Sequence, residues 1–368
     1  MPKLHVAIAV VAGTTGGPAT YGRRLCAALA EHDDVRITVL TDAPAAFDAG
    51  GVDVVEVPMR GGVDRLRWQY RALAKAVARL RPDVYHDTKN ALPFGLQVPS
   101  VVTVHDLAYH TVPGTFPWAS RTFLRLATRH AVRRAARIVV PSAATANDLV
   151  RIHPGTQGRV DVVPHGIDAF VRPTDAQLAE VRARLALPEH FVLHVGTIQA
   201  RKNVDLVIAG VRQLRAEGLP HLAVIVGREG WRAGAALAEL RRDDSALWLP
   251  HVTAADLPAV YALADAFVSP SAYEGFGFSV ADALAAGVPT VIADVSSLPE
   301  LCGDAAVRLP ALSAHAVAGC LRPLLTDAAE ATSLRERGPR RAAQFSWAAC
   351  AAGHVAAYLA ARAGQTAP

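Results

Sequence analysis

Glu274 stands in the run Ser269-Pro270-Ser271-Ala272-Tyr273-Glu274-Gly275-Phe276-Gly277-Phe278-Ser279, which follows the apolar stretch Ala262 to Val268. The order strand, Gly-rich turn, short helix makes a ligand loop. The carboxylate can accept from hydroxyls, the backbone amides of Gly275 and Gly277 can donate, and the helix N-terminus behind them favours negative charge. Such a site suits a polar, hydroxyl-rich ligand that carries negative charge. Arg201 and Lys202 lie on a second turn between a strand and a helix, where donors converge on an anion and the helix dipole adds to side-chain charge. A third group is His105-Asp106, delivered to the end of a short strand, and a fourth is the loop Gly13-Thr14-Thr15-Gly16-Gly17-Pro18.

These groups require strands whose carboxyl ends feed helices. Leu4 to Ala12 is a continuous apolar run of the kind a doubly buried parallel strand needs, and the Gly loop leads from it into an amphipathic stretch to Ala30. Val35 to Leu40 and Val52 to Val57 read as further strands, and Leu66 to Leu80 as a helix stopped by Arg81-Pro82. Val84 to His86 and Val101 to Val104 are short strands, Arg121 to Ala136 a helix, Arg137 to Val140 a strand, Ala144 to Val150 a helix and Val160 to Val163 a last strand. This half closes with Pro164-His165-Gly166-Ile167-Asp168, where His165 reads first as a loop or hinge element. The charged segment Pro173 to His190 marks a boundary.

A second alternating series then begins with the strand Phe191 to Val195 and the helix Val204 to Ala216, capped by Asn203 and closed by Gly218. Strands at Leu222 to Val226, Leu247 to Leu249, Ala266 to Ser269 and Thr290 to Ala293 follow, with helices around Asp256 to Ala264 and after Ser279. The chain is therefore predicted to be α/β, with two Rossmann-like domains facing each other across a cleft. Residues 1–170 form the N-terminal domain and 171–347 the C-terminal one, and a helix at about 348–364 is a candidate to pack back on the first.

Composition narrows the classes. At 368 residues the chain exceeds one ordinary core, and 51% hydrophobic against 19% charged residues excludes general disorder. The net charge of +5 agrees with an anionic ligand but does not choose one. Four scattered cysteines, Cys26, Cys302, Cys320 and Cys350, have no C-x-x-C spacing, which argues against a zinc or disulfide framework and for buried thiols in a reducing cytosol. No run approaches the roughly 20 apolar residues of a membrane span, and Met1 to Val11 enters a strand pattern directly. The expectation is a cytoplasmic protein, at most peripheral at the inner membrane face, with no nucleic-acid partner. The basic stripe Arg121, Arg125, Arg129, Arg133 and Arg137, and the basic, aromatic helix with Arg65, Trp68, Tyr70 and Arg71, read first as solvated faces. Each is also a candidate for an anionic acceptor or a membrane surface.

Leu247 to Ala306, L-W-L-P-H-V-T-A-A-D-L-P-A-V-Y-A-L-A-D-A-F-V-S-P-S-A-Y-E-G-F-G-F-S-V-A-D-A-L-A-A-G-V-P-T-V-I-A-D-V-S-S-L-P-E-L-C-G-D-A-A, closely resembles the donor-binding region of retaining GT-B glycosyltransferases of family 4. V-G-T-I-Q-A-R-K-N from Val195, V-V-P-H-G-I-D from Val162, V-H-D-L from Val104 and the N-terminal Gly loop agree in order. The resemblance implies transfer of a hexose from a nucleotide-diphosphate sugar, the co-substrate, to an acceptor hydroxyl, with retention and with neither a further cofactor nor a metal. It implies that Glu274 holds sugar hydroxyls and that Asp282 takes the second acidic place of the E-x7-E motif, which holds the ribose. It puts the diphosphate on Arg201 and Lys202, with Gly196 in the same motif. It assigns the amides of Gly275, Phe276, Gly277 and Phe278 to the sugar, the backbone around Val252 to the base, and Gly16 and Gly17 to the phosphates or sugar. His105 contacts the sugar or orients the acceptor, which is a small molecule, a glycan or a lipid-linked molecule. The Val-Ser-Ser-Leu-Pro-Glu-Leu run leans toward mannosyl- or rhamnosyl-type members.

Asp282 departs from the usual glutamate. Ser279-Val280-Ala281-Asp282 also fits a capping box, in which Asp282 at N3 serves the helix. Two other function classes compete. An NAD(P)-dependent oxidoreductase would use the first half, with Asp42 as ribose acid, but Gly13, Gly16 and Gly17 give G-x-x-G-G rather than G-x-G-x-x-G, and Arg201, Lys202 and Glu274 are left idle. A transfer-inactive protein that binds a nucleotide sugar is the other.

Overall fold

The β-branched runs form parallel strands because helices cover both faces of each sheet, so every strand position can be apolar. A computed structural model describes residues 3–11, 16–47, 52–57 and 67–364; Gly13 and Arg65 lie outside the described residues. The chain divides into two units, Met1–Leu107 with Thr122–Gly166 and Phe345–Pro368, and Ala108–Arg121 with Ile167–Gln344.

In unit 1 the strands are β1 (Leu4–Val10), β2 (Val35–Thr41), β3 (Asp53–Glu56), β4 (Val84–Asp87), β5 (Ser100–Thr103), β6 (Arg137–Val140) and β7 (Val160–Val162). Their order is β3-β2-β1-β4-β5-β6-β7, with Val6 opposite Ile37 on one side and Val84 on the other. Unit 2 repeats the plan with β8 (Phe191–Val195), β9 (Leu222–Val226), β10 (Ala246–Leu249), β11 (Ala266–Ser269), β12 (Thr290–Ala293) and β13 (Val307–Leu309), in the order β10-β9-β8-β11-β12-β13. Both are doubly wound, Rossmann-like sheets. Strand order reverses between β1 and β4 and between β8 and β11, and it is at such reversals that the loops leave a crevice for a ligand.

Val192, Ile225, Val268 and Val291 of unit 2 are fully buried under Val207, Ile208 and Val211 of the helix Val204–Ala216. At roughly 1.5–3 kcal/mol per buried aliphatic side chain, this layer fixes the strand ends from which the site is built.

In unit 1 the C-terminal helix Trp347–Ala363 is tied to the sheet by a directional hydrogen-bond chain. Nδ1 of His354 lies 2.7 Å from the Cys350 carbonyl, which only accepts, so Nδ1 donates and Nε2 accepts from the Tyr21 hydroxyl at 2.7 Å. Thr103 must then donate to Tyr21 at 2.8 Å, His86 Nε2 to Thr103 at 2.8 Å, and Tyr358 to His86 Nδ1 at 2.8 Å. Burial holds both His86 and His354 below their ordinary values, His354 at about 4, in keeping with neutral rings.

Some local expectations are corrected. Arg137 is not on the basic helix, which ends at Arg134; it lies in β6, and its guanidinium is paired with Asp161. A repeat of four residues carries on past a helix end in sequence but not in space. The segment read as a charged boundary contains the helix Asp175–Arg184, opened by a capping box of Thr174 and Gln177 and held by Leu178 and Val181. The helix Gly234–Arg242 was not anticipated either; its buried residues are Ala236, Leu237 and Leu240.

Candidate active site

In unit 2 the loop after β8 carries the cations. Gly196 leaves the strand with φ +158°, a short 3-10 turn spans Ala200–Lys202, and Asn203, in the left-handed conformation, starts the helix Val204–Ala216. Asn203 makes no side-chain cap; its Nδ2 instead donates to the Pro270 carbonyl at 2.8 Å, and Ala272 N donates to the Arg201 carbonyl at 2.8 Å. These bonds tie the loop after β8 to the loop after β11. Gly227, at the end of β9 with φ +146°, permits the arrangement: a Cβ there would lie 2.0 Å from the Gly196 carbonyl oxygen.

The loop after β11 brings Glu274 against those cations. Its carboxylate is ion-paired with Lys202 Nζ and, at 3.2 Å, with Arg201, whose guanidinium also donates to the Tyr273 carbonyl at 2.8 Å. The side chains of Arg201, Lys202 and Glu274 are 14%, 11% and 9% exposed, so the triad is nearly dry. Burial, the largest influence, pushes the Glu274 carboxyl up, but Lys202, Arg201 and Ser271 together bring it down to about 2. Two serines hold the loop: Ser296 Oγ accepts from Glu274 N at 2.8 Å, and Ser297 Oγ donates to the Glu274 and Phe276 carbonyls at 3.0 and 3.2 Å. The triad therefore sits at the carboxyl ends of the two strands that flank the order reversal.

The helix behind the loop starts two residues earlier than a Ser279 cap requires. It spans Phe278–Ala285, with Gly277 as N-cap at φ +100° and no side-chain cap. The capping-box reading is thus corrected: Ser279 and Asp282 both lie inside the helix. Phe276 and Phe278 pack edge to face, with ring centroids 5.3 Å apart. Asp282 is pushed up to about 7 by burial and by the nearby Asp168. Its folded value exceeds its ordinary 3.8, so the stability this gives is full below 3.8 and is lost as pH rises through 7. Asp282→Asn is therefore expected to melt higher than the parent at pH 8, with the advantage shrinking toward pH 4; a difference independent of pH would contradict the burial of this charge.

The other predicted residues are placed as follows. Val252 is half-buried in the segment between β10 and the helix Leu257–Leu263. Gly16, exposed with φ +92°, is the N-cap of the helix Gly17–Ala30 in unit 1, and its carbonyl accepts from Ala19 and Thr20 at 3.1 and 3.0 Å. His105, also in unit 1, follows β5. Its Nε2 lies 2.8 Å from the Thr88 carbonyl and so donates, which leaves Nδ1 to accept from His165 Nε2 at 3.3 Å. Burial lowers His105 to about 4, so it is neutral at pH 7 and offers hydrogen bonds rather than charge. His165 lies in the loop after β7, where it is 1% exposed and packs on Tyr21, with ring centroids 4.4 Å apart, so its side chain is fixed within unit 1 beside His105.

Sequence reasoning missed Ser296, Ser297, Gly227 and His194. His194, in β8, donates from Nδ1 to the Val268 carbonyl at 2.9 Å, and its Nε2 is buried with no hydrogen-bond partner among the described residues. A histidine inside an otherwise apolar strand was the available signal.

Residues 179–341 match the family model described as Glycosyl transferases group 1, and residues 15–169 match Glycosyltransferase Family 4. The chain is 27% identical to the O-antigen chain mannosyltransferase B of Escherichia coli, over 78% of this chain and 77% of that protein. It is 33% identical to the D-inositol 3-phosphate glycosyltransferase of Nocardia farcinica, over 62% of this chain and 54% of the relative, so it spans about half the length of that protein. The crystal structure of Anabaena HepE in complex with UDP-glucose superposes with a TM-score of 0.77 at 18% identity, covering 97% of this chain and 99% of that one.

Proposed function

Because this chain belongs to the glycosyltransferases of group 1 and family 4, with their GT-B fold, it is a sugar-transferring enzyme, and we propose that it moves a hexose from a nucleoside-diphosphate sugar to an acceptor hydroxyl, with retention and without a metal ion. The observation that carries this reading is the buried triad of Glu274, Lys202 and Arg201 at the strand-order reversal of unit 2.

Departure of the sugar leaves negative charge on the diphosphate, and two fixed cations in a nearly dry site stabilise that charge where water would not. Glu274, held at about 2, is a poor base and a poor nucleophile, which favours a role in accepting hydrogen bonds from sugar hydroxyls. Transfer then needs no covalent intermediate. The bond from the anomeric carbon to the phosphate oxygen breaks, the acceptor oxygen bonds to the same face, and the acceptor proton passes to the departing diphosphate. The amides of Gly275 to Phe278 hold the sugar, Asp282 the ribose and the backbone at Val252 the base, while His105 serves sugar or acceptor.

A hexose donor is supported by the mannosyltransferase likeness and by the UDP-glucose that HepE binds. The helix Trp118–Arg134 exposes Phe123 and Leu126 beside Arg129 and Arg133, which supports a peripheral contact with an anionic membrane bearing the acceptor. No helix among the described residues is long and apolar enough to cross a membrane.

A thermal-shift panel of UDP-, GDP-, dTDP- and ADP-sugars against NAD(P)H tests the reading. One sugar nucleotide at 100 times its Kd is expected to add about 2.7 kcal/mol of stability. Stabilisation by NAD(P)H alone would overturn it. Turnover in the presence of a chelator, and the anomeric configuration of the product by NMR, test metal independence and retention.

A further inference from the structure

We propose that unit 2 carries a divalent transition-metal site of the zinc class, formed by His190, His221 and Asp265 at the end of its sheet opposite the candidate active site. Each residue directly precedes a strand: His190 precedes β8, His221 precedes β9 and Asp265 precedes β11. Because β9, β8 and β11 are neighbours in that order, the three side chains line up along the amino-terminal edge, whereas Lys202 and Glu274 follow the carboxyl ends.

One ligand atom from each residue lies within 4.8 Å of those of the other two. Asp265 Oδ2 is 3.5 Å from His190 Nδ1 and 3.4 Å from His221 Nε2. Those separations are long for a hydrogen bond. They match two donors bound at about 2.0–2.1 Å to one tetrahedral ion, which stand about 3.4 Å apart. The imidazole centroids are 5.3 Å apart, so both rings face the same space. The Phe191 N–H donates to Asp265 Oδ2 at 2.9 Å and orients the carboxylate, as second partners of metal ligands do. His221 meets Asp265 through Nε2, and its other ring nitrogen, Nδ1, is buried with no hydrogen-bond partner among the described residues, so burial rather than a second partner holds this ring. His221 is buried and His190 about half exposed, which anchors one imidazole and leaves room for water at the remaining position. Two neutral imidazoles and a carboxylate suit Zn2+ better than Mg2+ or Ca2+, which prefer oxygen. The ion would clasp the starts of three adjacent strands and stabilise unit 2 without touching the transfer chemistry.

The test is titration of the tag-free, chelator-stripped full chain with Zn2+ by calorimetry and with Co2+ by visible absorption. We expect one ion per chain, the intense visible bands of four-coordinate Co2+, and a thermal midpoint raised by about 5 °C at saturating Zn2+. His190→Ala and, separately, His221→Ala are expected to abolish all three, while His315→Ala, at an exposed histidine elsewhere in unit 2, keeps them. His190 is at the surface, so its removal spares the core, and circular dichroism of the metal-free variant checks that the fold is kept. Absence of stoichiometric binding below millimolar Zn2+, or binding unchanged in His190→Ala, overturns the proposal.

Discussion

Glu274→Gln is expected to slow donor turnover about 10²- to 10³-fold while nucleoside-diphosphate binding is kept or tightened. The two effects separate because one carboxylate has two duties. It neutralises Lys202 and Arg201, and in the function proposed here it accepts from sugar hydroxyls when donor is bound. Glutamine keeps the shape but loses the charge, so the sugar loses its strongest acceptor while both cations become fully available to the diphosphate. The rate of nucleoside-diphosphate release from the donor reads the first effect, and calorimetric titration with the nucleoside diphosphate reads the second. The free variant should also melt lower than the parent, since two nearly buried cations lose their counterion, and saturating nucleoside diphosphate should restore most of that loss. Equal loss of turnover and of diphosphate affinity would make Glu274 a mere brace for the cations and sink its assignment to the sugar.

The strands that bear the site were legible because β-branched runs ended at Gly or Pro, as at Ser269-Pro270 and Val226-Gly227. The pairing itself was not. Lys202 and Glu274 are 72 residues apart, and only the strand order that sets β8 beside β11 brings them together. The same holds for His86, His105, His165 and His354, which four separate segments supply to one interior in unit 1. The helix start at Gly277 was misread because residue chemistry pointed to Ser279, whereas the turn was set by a left-handed backbone at a glycine. The helix Asp175–Arg184 was obscured because it buries only Leu178 and Val181, too little for a visible apolar stripe. Ser296 and Ser297 were visible only as part of the Val-Ser-Ser-Leu-Pro-Glu-Leu resemblance; their bonds to the backbone at Glu274 and Phe276 give that run a physical purpose.

Lys202→Met is expected to cost about 3 kcal/mol of stability at pH 7, in addition to the loss of transfer that follows from removing a cation beside the leaving group. In the parent, Glu274 at about 2 lies below its ordinary 4.5. Such a group stabilises the fold at pH above 4.5, and that contribution is lost as pH falls toward 2. Methionine removes the nearer cation and leaves Arg201, at 3.2 Å, and the Ser271 hydroxyl to oppose burial, so the carboxyl rises. The difference between parent and variant should therefore be largest at pH 7 and narrow between pH 4.5 and pH 3, as read from urea midpoints at each pH. A gap that stays constant down to pH 3 would assign the loss to side-chain fit rather than to the ion pair. Lys202→Met combined with Glu274→Gln supplies the second constraint: once the carboxylate has gone, Lys202 has no buried charge to neutralise, and the double variant should be more stable than the sum of the two single losses predicts.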